Sequence, residues 1–143
     1  MSALAAARNT LAMGGEGAFT LTVPVKANQV IYQGALVAID NATGYAVVPS
    51  VATTLISIGV AKTTVNSTSL ASGAVSVDVV CEEGFLLDCS GQAQTALGRL
   101  MYFVDDHTVT TTSTGASIAG VCISFVSATQ VWVYIGVPRT AGT

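Results

Sequence analysis

Charge is what this sequence has least of. Lysine, arginine, aspartate and glutamate together make up 9% of its 143 residues, where an ordinary soluble domain carries about a quarter. The basic residues Arg8, Lys26, Lys62, Arg99 and Arg139 are scattered, and the net charge is −3. Nucleic acid calls for a basic face, so nucleic acid is excluded as a partner. Apolar runs are also short. Ser, Thr, Asp, Glu or Gln interrupts each one well before the ~20 residues that a bilayer-spanning helix requires. Aromatics are only 6% of the chain, too few for the girdles of an outer-membrane barrel. A membrane location is therefore not expected. The remaining reading of so little charge is a soluble protein that hides much of its surface in an assembly.

Other chemistry-bearing residues are sparse as well. His107 is the one histidine, and Cys81, Cys89 and Cys122 form no CxxC pair. Without ligand spacing they read as small buried apolar residues in a reducing compartment. A Cys81–Cys89 disulfide is the alternative. The Ala-rich start is too weak for a secretory segment. Asn41-Ala42-Thr43 and Asn66-Ser67-Thr68 match the glycosylation pattern with no secretion signal to support them.

What is present is strand. Leu21, Val23 and Val25 alternate with Thr20, Thr22 and Pro24, and Val75, Val77, Val79 and Cys81 alternate with Ser76 and Asp78. Glu82-Glu83-Gly84 and Ser90-Gly91-Gln92 read as turns on either side of a short strand at Phe85–Leu87, and Gln92–Leu97 reads as a loop or one helical turn. The last strand runs Gln130–Val137. Short strands with hardly any helix predict an all-β fold, a small barrel or sandwich of short antiparallel strands with an N-terminal arm. The expected core is Ile58, Val60, Val77, Val79, Val121, Ile123, Val131 and Val133.

One unit is written twice. Gly34-Ala35-Leu36-Val37-Ala38-Ile39-Asp40 opens a strand, an Asp-led turn and a Val-bearing strand, and Gly98-Arg99-Leu100-Met101-Tyr102-Phe103-Val104-Asp105 does the same. Each is followed by a Gly-Val pair, Gly59-Val60 and Gly120-Val121. The hairpins 34–48 and 98–110 are therefore expected in related places.

Two strands are apolar on both sides. Val131, Val133, Ile135 and Val137 face away from Trp132 and Tyr134, and Leu100, Tyr102 and Val104 face away from Met101 and Phe103. A strand of this kind needs a second covering layer. The N-terminal arm, another subunit, or the second sheet of a sandwich can supply it. Residues 1–17 form the expected arm, with up to two turns of helix near Ser2–Arg8, a joint at Gly14–Gly17, and apolar anchors Leu4, Leu11 and Met13. Residues 18–143 form the β domain. Leu4, Leu11, Met13, Met101, Phe103, Trp132 and Tyr134 are the candidate residues for an interface with a sister subunit or another protein.

Asp105-Asp106-His107 is the one cluster with catalytic potential, as a carboxylate pair with a base or as metal ligands. It also stands where a hairpin needs polar turn formers, in the place of Asp40-Asn41 in the first copy. Nothing in the sequence brings Cys89 to His107 as a dyad, and no glycine loop precedes a helix. No enzyme, cofactor or metal is expected.

In order, the stretches Gly34–Ile39, Ile58–Ala61, Gly73–Val77, Gly98–Phe103 with Val109–Thr112, and Ile118–Cys122 with Val131–Ile135 resemble the capsid cement, or head decoration, proteins of tailed bacteriophages. The resemblance spans about Ala18 to Val137. It implies a β-rich structural virion protein, often a trimer. Such a protein is made in the host cytoplasm, sits on the outer capsid surface and bridges subunits of the major capsid protein. The lead of residues 1–17 is longer than is usual for that family. The alternative class is a bacterial surface or pilus-like module, or a phage receptor-binding β domain.

Overall fold

A computed structural model describes residues 3–10, 19–136 and 138. The fold is all-β, as expected. Its strands are β1 (Phe19–Pro24), β2 (Val30–Ile31), β3 (Leu36–Asp40), β4 (Ala46–Val47), β5 (Leu55–Ala61), β6 (Val65–Asn66), β7 (Ser76–Cys81), β8 (Glu83–Cys89), β9 (Leu100–Phe103), β10 (Thr108–Thr110), β11 (Ile118–Ser127) and β12 (Gln130–Ile135). A 3₁₀ turn, Gln94–Ala96, precedes β9.

The written echo is a structural duplication, and it extends beyond the two hairpins. In the first half the strand order is β1-β7-β5-β3-β4, and in the second it is β8-β12-β11-β9-β10. These are the same five places in the same order. The second set closes into a barrel because β10 runs parallel to β8, with Val109 opposite Cys89. The first set meets at the corresponding point through one parallel bridge, Val25 to Ala46. Small hydrogen bonds repeat as well. The Gly34 N–H donates to the Ala61 carbonyl at 2.9 Å and the Gly98 N–H to the Cys122 carbonyl at 2.8 Å. In return, the Ala61 N–H donates to the Ala35 carbonyl and the Cys122 N–H to that of Arg99, each at 2.9 Å.

The single Val25–Ala46 bridge makes the first set a five-stranded sheet curled into a barrel that closes at one point, and alternation fills each of the two from one face of its strands. The first interior holds Val23, Val25, Val37, Ile58, Ala61, Val77 and Val79. The second holds Leu87, Cys89, Met101, Ala119, Cys122, Val131 and Val133 at the matching positions, with Phe85 and Phe103 beside them. Six of the eight expected core residues are buried; Val121 is half-buried and Ile123 is 40% exposed. The reason is β11, whose pairing slips between Ile118 and Gly120 and again between Cys122 and Ser124. Each irregularity resets the alternation, so Ala119 and Cys122 point inward three residues apart.

Met101 and Phe103 are corrected for a different reason, the closure of the barrel through β8 and β10, which turns this face of β9 inward. Both lie at 0% exposure inside the second barrel, so neither belongs to an interface. Their strand presents Leu100 and Tyr102 outward instead. Two further expectations change, and the reading of the three cysteines as small buried residues holds. Glu83 belongs to β8 rather than to a turn, and the strand runs on to Cys89. The three cysteines are free and buried, and burial raises each thiol above its ordinary range. Residues 3–10 contain no helix.

Candidate functional site

The two barrels meet along a seam, and the polar cluster sits in it. Asp105 starts the β9–β10 turn by ordinary Asx chemistry: its Oδ1 accepts from the His107 N–H at 3.0 Å and the Thr108 N–H at 2.9 Å. An exposed hairpin tip would end the matter. Here the turn is buried, with Asp105 at 7% exposure and Asp106 at 1%. The Asp106 carbonyl accepts from the Leu36 N–H at 2.7 Å, which ties the second barrel's turn to the head of β3 in the first.

The described part of the expected arm closes the seam on its own chain. The Leu4 N–H donates to Asp106 Oδ1 at 2.8 Å, and the Arg8 N–H donates to the Gln33 carbonyl at 2.8 Å. Arg8 Nη1 reaches Asp88 Oδ2 at 3.2 Å, and the Thr10 hydroxyl donates to the Gly34 carbonyl. Residues 3–10 are thus a strap across the junction. The strap also explains why position 34 is glycine. Its φ is +87°, and a Cβ there would lie 2.0 Å from the Arg8 carbonyl oxygen. Leu4 is half-buried against this seam; Leu11 and Met13 lie outside the described residues.

His107 stands between two carboxylates, with Nδ1 at 2.9 Å from Asp88 Oδ2 and Nε2 at 3.6 Å from Asp105 Oδ1. Asp105, Asp106 and His107 place one ligand atom each within 4.8 Å of one another. Most of their polar atoms already serve the fold, which makes the group a lock on the seam; Asp105 Oδ2 has no hydrogen-bond partner among the described residues. Cys89 is no partner for His107, because alternation turns its thiol into the barrel, 3.5 Å from the Ala128 carbonyl. In sequence the cluster is recognisable as a turn. Its burial is not, because the strap and the first barrel that cover it come from distant stretches.

Burial raises the Asp106 carboxyl above the usual carboxylate range, and the Leu4 N–H pulls in the opposite direction with a smaller effect. Between the unfolded value and the raised folded value, the folded chain holds a proton that the unfolded chain has released. Stability therefore falls as pH rises through that window. Asp40 works in the opposite sense. Lys26 Nζ at 2.8 Å holds it below its usual range, so its contribution is present above that range and lost on acidification. Asp106→Asn keeps an oxygen for the Leu4 N–H and removes the charge. Urea unfolding at several pH values should show a flatter slope for the variant in that window. At neutral pH its stability should lie within ~1 kcal/mol of the parent or above it. A loss beyond ~2 kcal/mol at neutral pH would mean the charge itself holds the strap.

A second feature lies on the outside of the second barrel. Leu100, Val121 and Tyr134 are direct cross-strand neighbours on β9, β11 and β12. Leu100 is 44% and Tyr134 38% exposed, and Val121 is half-buried. Tyr102 and Trp132 are half-buried on β9 and β12, with Trp132 opposite Leu86 and Ser124. A shallow groove lined by Arg99, Leu100, Tyr102, Thr111 and Ser113 runs beside the row. Of the candidate interface residues, then, Trp132 and Tyr134 lie together on this strand, Leu4 lies at the seam, and Met101 and Phe103 lie in the core. Leu100 and Val121 were missed, although the two-sided apolar pattern of β9 was the signal that held Leu100.

Compared with known proteins, the chain matches no protein-family model and no curated protein.

Proposed function

We propose that this chain is a structural virion protein that binds the outside of a bacteriophage head as a homo-oligomer, a trimer, and cements subunits of the major capsid protein. The observation that carries the reading is a closed β-barrel joined to a second five-stranded set of the same order, itself drawn together by a single bridge, in a chain that is 9% charged, with a contiguous apolar row left uncovered among the described residues. Such a molecule is built to bury area against other proteins. The stretches that resemble head decoration proteins are the strands and glycine positions from which both barrels are made. Most polar atoms of its Asp105–Asp106–His107 cluster hold the barrels and the strap together, which supports a mechanical role over a chemical one.

A standard interface of ~800 Å2 per partner provides, at ~25 cal/mol per Å2 of apolar surface, a gross gain of tens of kcal/mol at most. Association and ordering remove much of it. Repetition over many symmetry-related sites makes modest single contacts sufficient to stiffen a shell.

Heads prepared with and without the protein provide the test. Electron microscopy should show added density at symmetry-related sites on the outer surface, and heated particles carrying it should release DNA at a higher temperature. Heads that take up no protein over the accessible concentration range would refute attachment. Full occupancy with no gain in resistance would refute cementing.

A further inference from the structure

The duplication gives positions on the five matched strands of one barrel counterparts on the other, and one set of counterparts does not match in its surroundings. In the first barrel Leu36, Val60 and Val80 are direct cross-strand neighbours on β3, β5 and β7. They occupy the places of Leu100, Val121 and Tyr134. Leu36 is at 0% exposure and Val60 at 5%, and Val80 packs against the same cluster. That cluster is the core of the second barrel, so the first barrel's row is covered by the second barrel. Its equivalent on the second barrel has no such cover among the described residues. The flanking glycines differ in the same way. Gly34 lies under the strap, while Gly98, its counterpart, has no atom within 4 Å of a built Cβ.

We infer that a second copy of this chain covers the Leu100–Val121–Tyr134 row, head to tail, continuing between chains the interface that already joins the two barrels within one. The occupant is named by the fold itself: the first barrel's row has a cover, and that cover is a barrel of this chain. The row itself carries no charge, with Glu82 beside Tyr134 and Arg99 in the groove beside Leu100 at its edges, so it asks for a partner with an apolar centre. The in-chain contact is not two-fold, because one barrel offers its row and the other does not. Repeating such a contact generates a closed ring where the rotation permits. In the proposed trimer, every chain would contribute both of its barrels to that ring. The inference stands apart from the capsid reading, since association is read on the free protein and attachment on heads.

Sedimentation of the free protein across the micromolar range tests it. The parent should be an oligomer. The Leu100→Glu/Tyr134→Glu variant should remain folded by circular dichroism and sediment as a monomer. Its association should weaken at least about a hundredfold, because two unpaired carboxylates would be buried. A parent that is monomeric throughout, or a folded double variant that associates as well as the parent, overturns the inference. A single Leu100→Cys variant provides a measurement free of added charge. Its new thiol should react with maleimide more slowly in concentrated than in dilute solution. Equal rates, or efficient oxidation to a dimer bridged through position 100 in which the row meets itself, overturn the head-to-tail arrangement.

Discussion

Gly59→Ala is expected to cost ~3 kcal/mol or more of folding stability, and Gly120→Ala about 2 to 3 kcal/mol. The two glycines hold the same place in the two barrels, and each lies against the backbone of the next strand. A Cβ on Gly59 would stand 2.0 Å from the Val80 carbonyl oxygen, and one on Gly120 would stand 2.3 Å from that of Tyr134. Neither oxygen can yield without breaking a strand pair, since Val80 pairs Val60 and Tyr134 pairs Val121. Gly59 carries a second penalty, because its φ of +145° is strained for any L side chain. Gly115 is the control. Its φ is +66° but a Cβ would meet nothing within 4 Å, so alanine there should cost only about 1 kcal/mol. Urea unfolding of the three variants ranks them. If Gly59→Ala were as mild as Gly115→Ala, the close approach of β5 to β7 would be wrong.

These glycines are also the reason that the duplication was legible at all. A position that tolerates no Cβ must keep glycine in both copies, so Gly59-Val60 and Gly120-Val121 mark the same crossing of strands. Gly34 and Gly98 mark the same entry into a hairpin, with φ of +87° and +82°. The remaining strands could not be matched from sequence, for a reason that the structure makes plain. Residues 62–75 lie between β5 and β7 and carry β6, whereas only residues 128–129 lie between β11 and β12. The repeat therefore loses its constant offset just where Val77 and Val79 should be matched with Val131 and Val133. Each pair was readable as core from alternation, but the equivalence was not.

The misplacements have local causes. Ile123 follows Cys122 into the slip of β11, and no feature of Ile118–Ser127 announces a bulge in sequence. Apolar residues on both sides of β9 left its inner face open to either choice. Barrel closure decided it, and closure depends on β8, whose Cys89 pairs Val109. The site was less legible than the fold. Asp105, Asp106 and His107 stood out as a group, but the strap reaches them and their neighbour Asp88 through Leu4 and Arg8. Those contacts span 102 and 80 positions of the chain. Nothing local to either segment encodes them.

Phe103→Ala should destabilise the protein by about 3 to 5 kcal/mol, while Leu100→Ala on the same strand should cost less than ~1 kcal/mol in the dilute monomer. The ring of Phe103 is among the largest fully buried side chains, and its residue pairs Val109 across the β9–β10 ladder. Removing it sacrifices the transfer energy of the ring and leaves a cavity that a closed barrel cannot collapse around. Leu100 loses contacts only with Val121 and its outer neighbours. Concentration separates the two cases further. Raising the protein concentration should leave the Phe103→Ala deficit unchanged. If a second copy covers the row as proposed, the Leu100→Ala deficit should grow, because association would then bury that side chain. Unfolding curves collected at low and high protein concentration would show both effects. Equal costs for the two variants in the monomer would mean that β9 faces the other way and that the barrel register is wrong by one residue.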